Sequence, residues 1–199
     1  MSPLRVAAAR IGAYLPQLSV ALTFYGRTRV WINGPFDRRA AQALHESLGL
    51  AKRTQSLYAT GHALATLGDL TWGQGNARRA LPLWREALVV RSQLTDRRGI
   101  AGCLERLALV LAASDRFEPA AWLFGAANAQ HRVLGTALRH DEEIDHEHLL
   151  GVTRQSLGPA FDESWRAGQS ASTDAAVACA LAETRALLRA RGVPRRGER

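Results

Sequence analysis

The 199-residue sequence predicts an all-α protein built as an array of repeated helix pairs. Three observations carry this reading. Alanine and leucine dominate an apolar fraction of 47%, while aromatics stay at 7%, a balance that favours helices over sheets. Apolar residues recur at three- and four-residue spacing, the period of a helix face. One helix-turn-helix pattern also appears twice at an offset of 40 residues: Leu64-Ala-Thr-Leu67-Gly68 is answered by Leu104-Glu-Arg-Leu107-Ala108, and Asn76 to Ala87 by Arg116 to Ala127. Self-similarity at such a period marks a repeat array, because one helix pair cannot bury its apolar face alone.

Taken in order, residues 1–19 are poorly patterned, and Pro16 is expected to end or kink any helix that Pro3 begins. A helix follows from Val20 to Asn33, and Gly34-Pro35 forces a turn. Ala40, Ala41, Leu44, Leu48 and Ala51 then share one helical stripe. Ala40 and Leu44 lie 40 residues before Ala80 and Trp84, so a first, degenerate repeat occupies about 20–52.

The second repeat spans about 57–94. Leu64, Leu67 and Thr71 face inward on its first helix, and Gly73-Gln-Gly75-Asn76 turns the chain. Ala77, Ala80, Leu81, Trp84, Ala87 and Leu88 form an uninterrupted face on its second helix, with Pro82 implying local irregularity. The third repeat, about 100–134, places Leu104, Leu107 and Leu111 on one helix and Phe117, Ala120, Ala121 and Phe124 on the next. Gly135 ends it. Residues 140–192 form a C-terminal helical cap of three pieces. Asp141 to Leu157 opens with acidic residues that suit a helix N-terminus, Pro159 starts a short helix with Phe161 and Trp165, and Ser172 or Thr173 caps a last helix. The stripe of that last helix reads Val177, Ala180, Leu181, Thr184 and Leu188. Residues 193–199 are a basic tail.

These residues resemble tetratricopeptide repeats. Leu64, Leu67-Gly68, Gly75, Ala80, Trp84 and Ala87 match the family pattern in the second repeat, and Leu104, Leu107-Ala108, Ala120, Phe124 and Ala127 in the third, with Ala108 replacing glycine. The first departs most, with Arg27-Thr28 where Leu-Gly belongs. A narrower resemblance covers roughly residues 37–182. The runs Leu94 to Ala108 and Arg116 to Ala127, then Leu157-Gly-Pro-Ala-Phe161, Trp165-Arg-Ala-Gly168 and Asp174-Ala-Ala-Val-Ala178, are similar to the C-terminal repeat region of large bacterial ATPase-type transcriptional regulators, LuxR-type ones included. The resemblance implies a non-catalytic protein-interaction module of a bacterial signalling or transcriptional regulator, freestanding or a fragment lacking its ATPase and DNA-binding domains. It also implies that the first helix of each pair lines a groove, which places His62, Asp69, Trp72, Glu105 and Leu109 there for a protein or peptide partner. Trp72 is the expected anchor.

The net charge of +8 allows a second reading. Of 26 basic residues only Lys52 is a lysine, and arginine grips phosphates with two bonds. Nucleic acid could touch the Arg-rich ends, although a GC-rich genome also explains the arginines, and no interleaved aromatics mark a single-strand groove. The third reading is a metal site in His140-Asp-Glu-Glu-Ile-Asp-His146-Glu-His148. It lacks His-Glu-x-x-His, and an acidic helix start accounts for most of it. Gly73-Gln-Gly75 begins a phosphate-loop pattern and goes no further. Neither Gly-x-Ser-x-Gly nor a paired CxxC occurs, so no enzyme activity, cofactor or metal is expected. Cys103 and Cys179 lie in apolar helical patterns and read as thiols of a reducing compartment. The uncharged stretch from Ile11 to Gly26 is too short to span a bilayer and has no cleavage site. A cytoplasmic protein is expected, with an exposed apolar repeat face near residues 1–20 that would favour self-association.

Overall fold

The computed structural model describes residues 3–135 and 140–190, with side chains from Tyr14 to Gly135 and from His146 onward. The described residues form helices and turns only: α1 (Pro3–Asn33), α2 (Arg38–Arg53), α3 (Leu57–Gly73), α4 (Ala77–Gln93), α5 (Arg97–Ala113), α6 (Phe117–Leu134), α7 (His140–Leu157), α8 (Ala160–Gln169) and α9 (Thr173–Arg189). Consecutive helices pack as pairs, α1 on α2, α3 on α4 and α5 on α6, and each pair leans on the next. The all-α array and its neighbour-on-neighbour packing are those read from the sequence. No helix among the described residues is long and apolar enough to cross a membrane.

A 20-residue metronome sets the pairing. Gln55, Gly75, Thr95 and Asp115 each take a positive φ, between 52° and 79°, one residue before the next helix cap. The N–H of Ser56, Asn76, Asp96 and Arg116 then reaches back to the carbonyl of Ala51, Thr71, Arg91 and Leu111 at 2.9–3.0 Å. This left-handed closure satisfies carbonyls that a helix end leaves open. Ser56, Asn76 and Asp96 go on to cap the following helix, accepting from the N–H of Ala59, Arg79 and Gly99. Equal helices joined by equal turns stack at a constant offset, so first helices share one layer and second helices the other.

The first two pairs are sealed where an aromatic or leucine on the second helix meets a glycine on the first. A Cβ at Gly68 would overlap the Trp84 indole, so glycine is what lets α3 and α4 approach. Trp84 and Phe124 are each 1% exposed, as expected of core residues. The first pair solves the problem differently. Leu44 holds the position of Trp84 and presses on Gly26, and the seam continues as hydroxyls: Ser19 Oγ donates to the Ser47 carbonyl at 2.8 Å, and Thr23 Oγ1 lies 2.7 Å from Ser47 Oγ. With Leu44 for the aromatic residue and Arg27-Thr28 for Leu-Gly, this pair carries a polar seam where the others carry the repeat pattern.

Three expectations need adjustment. α1 runs unbroken from Pro3 through Pro16 to Asn33, so the segment expected to be poorly patterned is continuous with the first repeat. Pro16 removes one backbone donor, and the helix continues on either side of it. In α9 Ala180 and Thr184 are buried and Val177 and Leu181 pack partly against the core, as expected, but Ala176 and Leu187 join them in the core while Leu188 is 37% exposed. α4 runs through Pro82, which is exposed. The basic tail, 193–199, lies outside the described residues.

The cap folds back on the array. α8 crosses α6 with backbones nearly touching: a Cβ on Gly125 would land on the Trp165 carbonyl, and one on Gly168 on the Trp122 carbonyl. α9 straps across the second-helix side. Gln130 of α6 donates to Thr173 at 2.8 Å, Arg116 pairs with Glu183 at 2.7 Å, and Arg85 of α4 donates to the Leu181 carbonyl at 2.7 Å and to Thr184. At the opposite end, Trp31, Ile32 and Phe36 are 67–75% exposed.

Candidate functional site

A cavity of about 400 Å³ opens on the layer of first helices, lined by α1, α3 and α5 with His131 of α6 at one edge. Its residues fall into an aromatic wall, a set of arginines and three committed carboxylates.

The aromatic wall comes from α1 and α3. The His62 ring sits 4.5 Å from Tyr58 and 6.5 Å from Phe24, and Arg27 lies 4.7 Å from the centre of the Phe24 ring. Phe24 and Tyr58 stay about half exposed. Burial, reinforced by the positive charge of Arg91, pushes the His62 imidazole down to about 4, so it is neutral at physiological pH.

Asp69 is a junction. Its carboxylate takes a two-pronged grip from Arg106 of α5, Nε to Oδ1 at 2.5 Å and Nη2 to Oδ2 at 3.0 Å, and accepts from the Trp84 indole N–H at 3.0 Å. One carboxylate thereby joins three helices, α3, α4 and α5, and orients the tryptophan that seals its own pair.

Glu105 is buried at 5% exposure between two histidines, with His146 Nδ1 of α7 at 2.6 Å from Oε1 and His131 Nε2 of α6 at 3.4 Å from Oε2. Burial pushes its carboxyl up, and the two histidines more than offset that, leaving it below the ordinary glutamate value. The His146 ring also stands edge-on to Phe124 at 5.2 Å. This inward use of His146 bears on the metal reading of residues 140–148, whose members up to Asp145 have side chains outside the described set. Among the described residues no group of three or more His, Cys, Asp or Glu is arranged to hold a metal ion.

Arg91 is the residue the sequence reading missed. It belongs to α4 yet lines the cavity, 8% exposed, with Nη1 at 2.7 Å from Asp96 Oδ2. Two signals were available: Arg91 continues the buried stripe Ala80, Trp84, Ala87, Leu88 at helical spacing, and glycines stand at 61 and 99 where it passes. A charge on a core stripe beside glycines is a buried cation with a channel made for it.

Of the five groove residues expected, the structure brings His62, Asp69 and Glu105 together. Trp72 and Leu109 lie elsewhere, each 7% exposed. Trp72 packs 5.6 Å from the Trp84 ring, in the interior between the helices, so it offers no exposed anchor. The aromatic surface at the cavity comes from Phe24 and Tyr58 instead.

No family model matches the sequence, and no curated protein or solved structure is significantly similar to it. Burial pushes the Cys103 thiol up to about 11, which keeps it protonated and a poor nucleophile. The carboxylates are held by arginine or histidine, and the neutral His62 faces aromatic rings. The arrangement offers an aromatic wall of tilted rings beside arginine side chains.

Proposed function

We propose that this chain is a non-catalytic interaction module that takes a segment of a protein partner in the cavity across α1, α3 and α5. The observation that carries the reading is the alignment of the three first helices on one layer, with half-exposed Phe24 and Tyr58 at its edge and charged groups across its floor. Aromatic and arginine side chains are the common anchors of protein recognition. The sealing of Gly68 by Trp84 and the equivalent place of Ala108 and Phe124 support a tetratricopeptide-like reading of the array. The resemblance in sequence supports a place in a bacterial signalling or transcriptional regulator.

The test is a pull-down from bacterial lysate with the purified chain, run with and without nuclease and across a salt series. A protein partner that survives both, and is lost with the Phe24→Ala/Tyr58→Ala variant, supports the module. Nucleic acid recovered alone, with binding that falls steeply as salt rises, would move the function to the arginines, because phosphate contacts release counterions.

A further inference from the structure

We propose that the cavity receives one carboxylate, an aspartate or glutamate side chain inside an extended peptide segment, with Arg91 as its anchor and an apolar or aromatic neighbour on the Phe24–Tyr58 wall. The inference rests on the groove reading above and gives it a ligand chemistry.

Arg91 is built in at some cost. It starts from a second helix and passes between α3 and α5 to reach a cavity on the first-helix layer. A Cβ on Gly61 would stand 3.3 Å from Arg91 Cγ, and one on Gly99 would overlap the guanidinium itself, so both glycines keep its path open. A buried guanidinium is expensive unless its donors are used. Here only Nη1 has an acceptor among the described residues, Asp96, and that carboxylate also caps α5 through the Gly99 N–H at 3.0 Å. Nε is buried and has no hydrogen-bond partner among the described residues. A cation nine-tenths buried, at the wall of an open cavity, with donors unspent, is one oxyanion short of a complete set.

Charge decides which oxyanion. Four arginines line the cavity against three carboxylates, which leaves a formal excess of one positive charge before His131 at its edge is counted. That excess matches a single carboxylate. A nucleic acid or polyphosphate would bring several negative charges against three fixed carboxylates, and like charges forced together oppose binding. The rings of Phe24, His62 and Tyr58 add a surface that a free inorganic anion would not use but a neighbouring peptide side chain would.

Selection from a random linear peptide library on the immobilised full chain, followed by calorimetry on a selected peptide, tests this. Selected peptides should share an aspartate or glutamate beside an aromatic or apolar residue. Replacing that acid by its amide, or making Arg91→Met, should each weaken binding at least about tenfold, the scale of one charge-assisted hydrogen bond. A melting curve shows whether Arg91→Met still folds, and the amide peptide on the unaltered chain tests the same charge without touching the fold. Selected peptides that lack an acid, or lose nothing as the amide, overturn the carboxylate assignment while the groove reading stands. Displacement of the peptide by dilute inorganic phosphate or a short single-stranded oligonucleotide overturns it in favour of a phosphate ligand. Selection of no peptide at all removes the groove reading, and this inference with it.

Discussion

The Gly68–Trp84 contact allows a test in which one substitution should reverse its sign. Trp84 is 1% exposed, and its indole N–H points at the Asp69 carboxylate and the Ala65 carbonyl. Trp84→Ala should cost ~3–5 kcal/mol, combining lost transfer energy with the cavity left behind. Gly68→Ala places a methyl on the indole ring. Overpacking of this kind costs ~1–3 kcal/mol, against which alanine regains ~1 kcal/mol of helix propensity over glycine, so the single variant should lose up to about 2 kcal/mol. In the Trp84→Ala background the obstructing ring is gone. Gly68→Ala should then stabilise by up to ~1 kcal/mol, the propensity gain alone. The two sites should therefore couple by roughly 1–3 kcal/mol, well above the ~0.5 kcal/mol scatter of independent sites. Urea denaturation of the four proteins, followed by far-ultraviolet circular dichroism, measures the cycle. Additive costs would refute the account of why glycine stands at 68.

Three further expectations follow from the site and the turns. His62 should titrate near 4 rather than near the ordinary histidine value of 6.5, readable as imidazole shifts in an NMR titration. A midpoint near 6.5 would mean that the ring is not held against Arg91 and the aromatic wall. Glu105 has a folded-state carboxyl below its unfolded value of 4.5, so its contribution is fully present above that value and is lost as pH falls through the lower folded one. Glu105→Gln should cost ~1–3 kcal/mol at neutral pH and flatten acid unfolding in that window; equal loss at every pH would show that the histidine contacts carry no charge. Thr95→Gly should raise stability by about 0.5–1 kcal/mol, since a left-handed conformation costs an L-residue ~1–2 kcal/mol and glycine gives part of that back in entropy. Gly75→Thr, at the matching turn, should lower it. If both changes move the melting midpoint the same way, the turn argument fails.

The helices and their pairing were legible because the period is written in large residues. Leu64, Leu104, Trp84 and Phe124 repeat at 40, and the structure buries all four. The first pair was harder to read because its seam is made of Ser19, Thr23 and Ser47, whose hydroxyls look like surface in a sequence and find each other only once α1 and α2 are packed. In the groove, it was the tetratricopeptide resemblance that put His62, Asp69 and Glu105 on one face, and the three line one cavity. Trp72 was misplaced there, because three- and four-residue spacing does not say which neighbouring helix covers a side chain at the end of α3. Arg91 was hidden for a related reason: its significance comes from glycines 30 residues before and 8 residues after it in the chain, on two different helices.

The strap formed by α9 changes how such an array comes apart. A stack wired only between neighbours can peel from either end, one helix at a time. Here Arg85 is bonded to Leu181 across 96 residues of chain, and Arg116 and Gln130 add two more ties along the same helix. Closing a circuit of that length in the unfolded chain costs on the order of 4 kcal/mol, so α9 is expected to dock after the helices between are in place. Once docked, its three ties link α4 and α6 through one helix, so among the described residues this end should open as a unit. Fraying is expected to start at α1 and α2, where the seam is made of hydroxyls and the outermost aromatic residues face water.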